Sequence, residues 1–214
     1  MNQKSLFLGA VAVLVVAFAG ATVIFSSSRS AGPVSSAAMA TLDRPHAASI
    51  GEADAPVVIT EFLDPACETC AVFYPAVKDM MAANPGRIRL VLRWAPFHNG
   101  ANDVVALLEA ARIQGQFFPA LERLLGTQSQ WAINHTADVN LAWQQLGGLG
   151  LDRDRILADM SSAEVQQLIQ QDIADAAANN VQATPEYFVN GRPLPTWGWE
   201  QLVELVNEEL ARTR

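Results

Sequence analysis

The chain has 214 residues, of which 50% are hydrophobic and 17% are charged, and its formal net charge is −8 at pH 7. This length and hydrophobic content allow one domain of ordinary size with a sizeable core, plus additional segments. Beyond residue 50 there are 11 basic and 21 acidic residues, and this acidic balance argues against binding to nucleic acid.

Residues 6–25 form an almost unbroken apolar run. Twenty residues of helix rise about 30 Å, the thickness of the hydrocarbon core of a membrane. A cleaved signal peptide is the alternative, but the run is long for one, and the small-residue cleavage pattern at Ala38 to Ala40 lies well beyond its end. We therefore predict a transmembrane anchor over residues 6–25, preceded by a short cytoplasmic N-terminus over residues 1–5.

The next segment, residues 26–50, is rich in Ser and Ala without sustained periodicity and indicates a flexible tether. We expect the folded domain to span residues 51–214. Its first elements are a short, β-branched strand from Val57 to Leu63, a helix from Cys67 to Ala83 and a strand from Ile88 to Trp94. Strand, helix and strand in this order predict a βαβ unit with a parallel strand pair.

Helical patterns dominate from about residue 99 to residue 180, including a capping-box pattern from Ser161 to Glu164. This region is predicted to be a helical insertion. Two short strands joined by a tight turn at Asn190-Gly191 follow, and a helix closes the chain. The predicted order is therefore βα, β, helices and ββα.

Cys67 and Cys70 are the only cysteines in the sequence, and two residues separate them at the predicted start of a helix. The free N–H groups and the dipole at a helix N-terminus favour a thiolate, which lowers the pKa of the first cysteine. We interpret Cys67 as the attacking sulfur. Cys70, one turn further on and shielded, would resolve the mixed disulfide that Cys67 forms.

A structural disulfide and a zinc site are the simpler interpretations of the cysteine pair. A disulfide across two residues closes a very small loop and removes little entropy from the unfolded chain. Zinc needs about four ligands, whereas His46, His98 and His135 are scattered along the sequence. Redox chemistry is therefore favoured, with His98 and His135 as loop residues and no metal ligands assigned.

Glu61 lies in the first predicted strand, six residues before Cys67. On a solvated face it would be an ordinary surface residue. Buried near the sulfurs, it would have a raised pKa and could accept a proton from Cys70 or donate one to it during exchange.

Four features of the sequence match one known pattern: an acid, a CxxC pair, a proline five residues after it, and a Thr-Pro dipeptide before a strand. These are Glu61, Cys67 with Cys70, Pro75, and Thr184 with Pro185. With them, residues 51–214 resemble the DsbA-like thiol-disulfide oxidoreductases of the thioredoxin-fold superfamily. The resemblance implies an α/β thioredoxin fold, with βαβ and ββα halves and a helical insertion between them.

The resemblance also implies roles for individual residues. Pro185 would be a cis-proline against the active-site disulfide, and the backbone of Thr184 would pair with an incoming substrate strand. No cofactor is expected beyond the disulfide of Cys67 and Cys70.

The sequence departs from many relatives beside the cysteines. Ala66 replaces an aromatic residue that many relatives have before the first cysteine, and the inner dipeptide is Glu68-Thr69. We expect these two residues to tune the redox couple, because the Glu68 carboxylate opposes the Cys67 thiolate and a less stabilised reduced form is a weaker oxidant. Thr184 resembles the residue of isomerase and reductase members.

The sequence thus predicts a single-pass protein of the bacterial inner membrane whose catalytic domain faces the periplasm or cell exterior, because disulfide exchange belongs in an oxidising compartment. It would exchange disulfides with protein thiols as a moderate oxidant and depend on a membrane redox partner. Isomerase or reductase activity is one alternative. The other is a module that carries Cu(I), since paired thiolates suit that ion.

Overall fold

The computed structural model describes residues 36–213. The predicted cytoplasmic N-terminus, the predicted transmembrane segment and residues 26–35 of the predicted tether lie outside the described residues. Within residues 36–213, no helix is both long enough and apolar enough to cross a membrane.

The described residues form α-helices and short strands. The helices are α1 (Ser36–Leu42), α2 (Glu68–Ala82), α3 (Ala101–Ile113), α4 (Phe117–Gly126), α5 (Val139–Gln145), α6 (Arg153–Met160), α7 (Ala163–Ala178) and α8 (Trp199–Arg212). The strands are β1 (Ala48–Ile50), β2 (Val57–Leu63), β3 (Ile88–Trp94), β4 (Ala132–Ile133), β5 (Thr136–Ala137), β6 (Glu186–Val189) and β7 (Arg192–Pro193).

Five of these strands form one sheet in the order β1-β3-β2-β6-β7, with β2 at its centre. Strands β2 and β3 are parallel, whereas β1, β6 and β7 pair antiparallel with their neighbours. The predicted βαβ unit is therefore confirmed. The turn between β6 and β7 uses Asn190 and Gly191, both with positive φ (47° and 78°), as a tight hairpin turn requires.

The helical insertion is also confirmed, because α3 to α7 lie between β3 and β6 in the sequence. Helix α3 is buried over most of its length, in the same core as the inner faces of β2, β3 and β6. Two details differ from the prediction. Helix α7 is capped by Ser162, whose side chain accepts from Val165 N–H, and the insertion contains a small hairpin of β4 and β5.

The folded part begins upstream of the predicted boundary at Gly51. Helix α1 and strand β1 lie within the segment predicted as tether, and β1 pairs with β3 at the edge of the sheet. Leu42 is 1% exposed and packs in a second, smaller core with Phe62 and Phe188. A three-residue edge strand leaves no periodicity that sequence patterns detect.

Candidate active site

The two cysteines lie at the start of α2, directly after the central strand β2. Cys67 is the N-cap residue of the helix and has an extended backbone (φ −81°, ψ 119°). Cys67 is 6% exposed and Cys70 is 0% exposed, and both thiols are free. The shielding predicted for Cys70 is confirmed, and a substrate can reach Cys67 alone.

The surroundings of Cys67 stabilise its thiolate. Its pKa is lowered to about 6, mainly because the side chain of Cys70 hydrogen-bonds to it, while burial acts in the opposite direction. Backbone hydrogen bonds from Cys70 and Thr69 and a contact with the Thr184 side chain add to the lowering. The two backbone groups belong to the first turn of α2, where a helix N-terminus favours a thiolate.

Glu68 is not among the main causes of this pKa shift. Its side chain is 70% exposed, and its Oε2 lies 3.9 Å from Nδ1 of His135. Thr69, by contrast, acts on Cys67 through its backbone. The expected effect of Glu68 on the redox couple stays a prediction.

Cys70 is held as a neutral thiol. Burial raises its pKa well above the usual range, and the nearby Cys67 and Glu61 raise it further. Glu61 lies in β2 and is 0% exposed, and burial is the main cause that raises its pKa to about 8. The interpretation of Glu61 as a surface residue is therefore excluded, and a buried acid that titrates near neutral pH lies beside the two sulfurs.

The loop before β6 closes over the first cysteine. The Thr184–Pro185 peptide bond is cis, as the resemblance implied. The Cys67 thiol donates to the carbonyl oxygen of Thr184 across 3.2 Å. This contact places the backbone of Thr184 next to the Cys67 sulfur.

Buried polar side chains fix the loop that carries Cys67. Asp64 accepts hydrogen bonds from the backbone N–H groups of Ala66 and His98, each at 2.8 Å. From the helical insertion, Gln128 Nε2 donates to the carbonyl oxygens of Pro65 (2.7 Å) and Cys67 (3.0 Å). The insertion thus supports the active-site loop, a function that no motif in the sequence indicated.

An exposed aromatic side chain lies beside the cis-proline. Trp197, in the loop between β7 and α8, is 52% exposed, and its Nε1 donates to the carbonyl oxygen of Pro185 at 2.8 Å. Its ring stacks on Phe73 of α2, with ring centres 5.6 Å apart and planes 12° apart. An exposed aromatic ring therefore lies beside the cis-proline, although Ala66 supplies none before Cys67.

The described residues include no group of three or more His, Cys, Asp or Glu side chains that could hold a metal ion. His98 and His135 are loop residues, as predicted. Their rings stack 5.9 Å apart, and Nδ1 of His98 lies 2.8 Å from the Asp64 carboxylate, so His98 serves the active-site loop.

The sheet order, with a CxxC pair after the central strand and helices between the two halves, defines a thioredoxin-like fold of the DsbA-like type. The thioredoxin family model matches residues 43–208. The chain belongs to that family.

Several solved structures share this fold. A thioredoxin-like oxidoreductase from Silicibacter pomeroyi DSS-3 is 26% identical, with a TM-score of 0.69 over 82% of this chain and 98% of that one. BdbD from Bacillus subtilis is 18% identical, with a TM-score of 0.68 over 84% and 97% of the two chains. α-DsbA1 from Wolbachia pipientis is 16% identical, with a TM-score of 0.68 over 82% and 96%.

Curated relatives with sequence similarity are named Na⁺/H⁺ antiporter NhaA. The one from Herminiimonas arsenicoxydans is 33% identical over 144 residues, which are 67% of this chain and 22% of that protein. The chain thus spans about a fifth of the length of the curated relatives it matches. The transport activity in their names is that of the longer proteins.

Proposed function

We propose that this protein is a thiol-disulfide oxidoreductase that exchanges disulfides with protein thiols through Cys67 and Cys70, as a moderate oxidant. The observation that carries the proposal is the environment of Cys67, whose pKa is about 6 and whose sulfur lies against the Thr184 carbonyl beside a cis-proline. A stabilised thiolate is a good leaving group in disulfide exchange. The nearby backbone can hold an extended substrate.

In the oxidising direction, a substrate thiolate attacks the Cys67 sulfur of the Cys67–Cys70 disulfide. The bond between the two cysteines breaks, and Cys70 leaves as a thiolate that takes a proton from the Glu61 carboxyl group. A second substrate thiolate attacks the substrate sulfur of the mixed disulfide, and Cys67 leaves as a thiolate. The substrate loses two electrons and gains a disulfide, while the protein pair gains these electrons.

The substrate in this proposal is an extended polypeptide that contains cysteine. Its backbone pairs with Thr184 by strand addition. A neighbouring apolar side chain of the substrate packs on the exposed face of Trp197, because a rigidly held aromatic ring offers a large contact area.

The proposal includes a location outside the bacterial inner membrane and a membrane redox partner that reoxidises the cysteine pair. Support comes from the apolar run at residues 6–25 and from the oxidising compartment that such chemistry needs. Labelling of Cys67 in intact cells by a thiol reagent that does not cross membranes tests the location. A lack of labelling before lysis, with labelling after it, would contradict this part of the proposal.

Electron flow in the opposite direction, as a reductase or isomerase, is the second candidate. It uses the same bonds in reverse order, and Thr184 before the cis-proline favours it. Competing assays with a reduced protein and with a scrambled disulfide protein separate the two directions.

Trapping of the mixed disulfide tests the chemistry. The Cys70→Ala variant cannot resolve the intermediate, so it should accumulate a disulfide between Cys67 and an unfolded protein substrate. Cys67→Ala is the matched control and should accumulate none. Equal trapping by both variants would show that the assigned roles are wrong.

A further inference from the structure

Glu61 and Tyr187 are directly opposite each other in the antiparallel ladder between β2 and β6. Both residues are 0% exposed. Neither carboxylate oxygen of Glu61 nor the hydroxyl of Tyr187 makes a hydrogen bond of normal geometry. A buried polar group without a partner costs about 1–3 kcal/mol, so two that face each other beside the cysteines point to a use other than stability.

Packing fixes the ring of Tyr187 independently of its hydroxyl. The ring stacks on Phe73, with ring centres 6.4 Å apart and planes 17° apart. Side chains at opposite positions of an antiparallel pair have Cβ atoms about 5 Å apart. The hydroxyl is therefore held on the side of the sheet where Glu61 and the cysteines lie.

The charges around Glu61 come from few groups. Cys67, Cys70 and Tyr74 of α2 and Tyr187 of β6 are coupled to it, while its partner in β3 is the apolar Leu92. Burial raises the pKa of Tyr187 well above the usual range, so this hydroxyl stays protonated and can only donate. Burial raises the pKa of Glu61, and the Tyr187 hydroxyl opposes that rise.

We propose that Tyr187 is a positioning residue whose hydroxyl donates to the Glu61 carboxylate once Glu61 is ionised, and so holds it for proton exchange with Cys70. When Cys70 attacks a mixed disulfide at Cys67, the Cys70 proton moves to the Glu61 carboxylate. The Cys67–Cys70 bond forms, the bond to the substrate breaks, and the substrate leaves as a thiolate. Tyr187 keeps its own proton throughout and stabilises the carboxylate before the transfer. The proton's role in catalysis rests on the proposed function, whereas the coupling of Tyr187 to Glu61 does not.

The Tyr187→Phe variant tests this assignment in the full chain. It keeps the stacked ring and removes a hydroxyl that makes no hydrogen bond of normal geometry, so the midpoint of thermal unfolding should stay the same or rise. In the reduced protein, the titration midpoint of the Glu61 carboxyl carbon, measured by NMR, should move up by about one pH unit. After rapid mixing with oxidised glutathione, resolution by Cys70 should be about fivefold slower at pH 7, with its pH profile moved in the same direction.

Two further variants separate positioning from packing. Tyr74→Phe removes the other tyrosine hydroxyl near Glu61, which lies 3.4 Å from Glu122, and should move the Glu61 titration much less than Tyr187→Phe does. In a Glu61→Gln background, Tyr187→Phe should have no further effect on the rate of resolution.

An unchanged Glu61 titration in Tyr187→Phe, or an equal loss of rate with and without Glu61, would overturn the assignment. If the wild-type protein does not react with glutathione, the proposed function fails. The titration of Glu61 still decides whether Tyr187 is coupled to it.

Discussion

Two clusters of buried polar side chains lie on opposite faces of the central sheet, and they differ in how their charges are paired. On one face, Arg93 of β3 meets Asp172 and Asp175 of α7. On the other face, Glu61 of β2 meets Tyr187 of β6. The strand register places Arg93 beside Phe62. Successive side chains of a strand point to opposite faces, so Phe62 and Arg93 lie on one face of the sheet and Glu61 lies on the other.

The cluster around Arg93 is fully paired. Arg93 is 0% exposed, and its Nη2 donates to Asp172 at 2.6 Å and to Asp175 at 2.7 Å. Asp172 also accepts from the backbone N–H of Trp94 at 2.9 Å, and Arg44 makes two further bonds to Asp175 at 2.8 Å. Each buried charge therefore has opposite charge and hydrogen bonds around it, as stable burial requires.

Within the described part of the chain, the carboxyl group of Glu61 has no opposite charge beside it to lower its pKa, and it lies beside the two cysteines. Burial raises the pKa of Glu61 to about 8, where a carboxyl group can both give and take a proton near neutral pH. For Asp175, burial also raises the pKa, but hydrogen bonds from Arg44 and Arg93 outweigh it and the net shift is downward. Two carboxyl groups with little solvent exposure (0% for Glu61, 3% for Asp175) thus have pKa values shifted in opposite directions, because only Asp175 has cationic partners.

Arg93→Met should have the largest effect on stability. It leaves Asp172 and Asp175 buried without their main partner, and breaking a buried pair costs about 3–5 kcal/mol. Denaturant unfolding measures the loss, and the exchange rate per folded molecule should not change. Arg44→Met is the control, because the side chain of Arg44 is 30% exposed and its loss should cost less. A large loss of activity at unchanged stability would show that the two faces are not separate in function.

Glu61→Gln should have the opposite effect, a loss of exchange rate without a loss of stability. The exchange rate should fall by about 10²-fold at neutral pH, the lower range for loss of a general acid or base, and its pH dependence should flatten. At high pH the variant should be more stable than the wild type. The unfolded carboxyl ionises near pH 4.5 and the folded one near 8, so Glu61 makes the wild type progressively less stable between these values. Thermal unfolding across this range measures the difference. Parallel curves for wild type and variant would contradict the raised pKa.

The next largest expected effect is on the ionisation of Cys67. With a pKa of about 6, Cys67 should be ionised at pH 7 about thirtyfold more than an ordinary cysteine. Ultraviolet absorbance of the thiolate in the reduced protein should titrate with a midpoint near that value. Cys67→Ala should lack this transition, because burial keeps Cys70 neutral. The same transition in Cys67→Ala would show that the two sulfurs are assigned in the wrong order.

Trp197→Ala should have the smallest effect. Loss of one aromatic contact, worth about 0.5–1.5 kcal/mol, should raise KM for a cysteine peptide with an aromatic neighbour about three- to tenfold. The rate with glutathione should not change. Leu157→Ala is the control, since Leu157 is 56% exposed on α6 of the insertion. Equal changes for peptide and glutathione would rule out a substrate contact.

The sequence alone predicts the elements that carry the two cysteines well, because those elements are local. Strands β2 and β3 begin and end at the predicted residues, since short apolar runs bounded by turns mark buried strands. The spacing of Cys67 and Cys70 predicts both the helix start and the shielding of the second sulfur. The cis form of Pro185 followed from resemblance to a family.

The polar partners were not predictable, because they are distant in sequence. Arg93 and Asp172 are 79 residues apart, and in the sequence of β3 Arg93 is one of two arginines among apolar residues. Tyr187 occupies an apolar strand in which an aromatic residue is ordinary. The position of Tyr187 opposite Glu61 is what indicates a role for its hydroxyl. That position depends on the register of two strands from opposite ends of the domain.

The reduction potential of the Cys67–Cys70 pair, measured on the full chain in glutathione buffers, tests the proposed chemistry most directly. We predict a reversible two-electron titration with a midpoint clearly below about −120 mV and near about −200 mV, because the thiolate of Cys67 is stabilised, though less than in the strongest oxidants. A pair that stays oxidised down to about −300 mV, as structural disulfides do, would contradict a role in disulfide exchange.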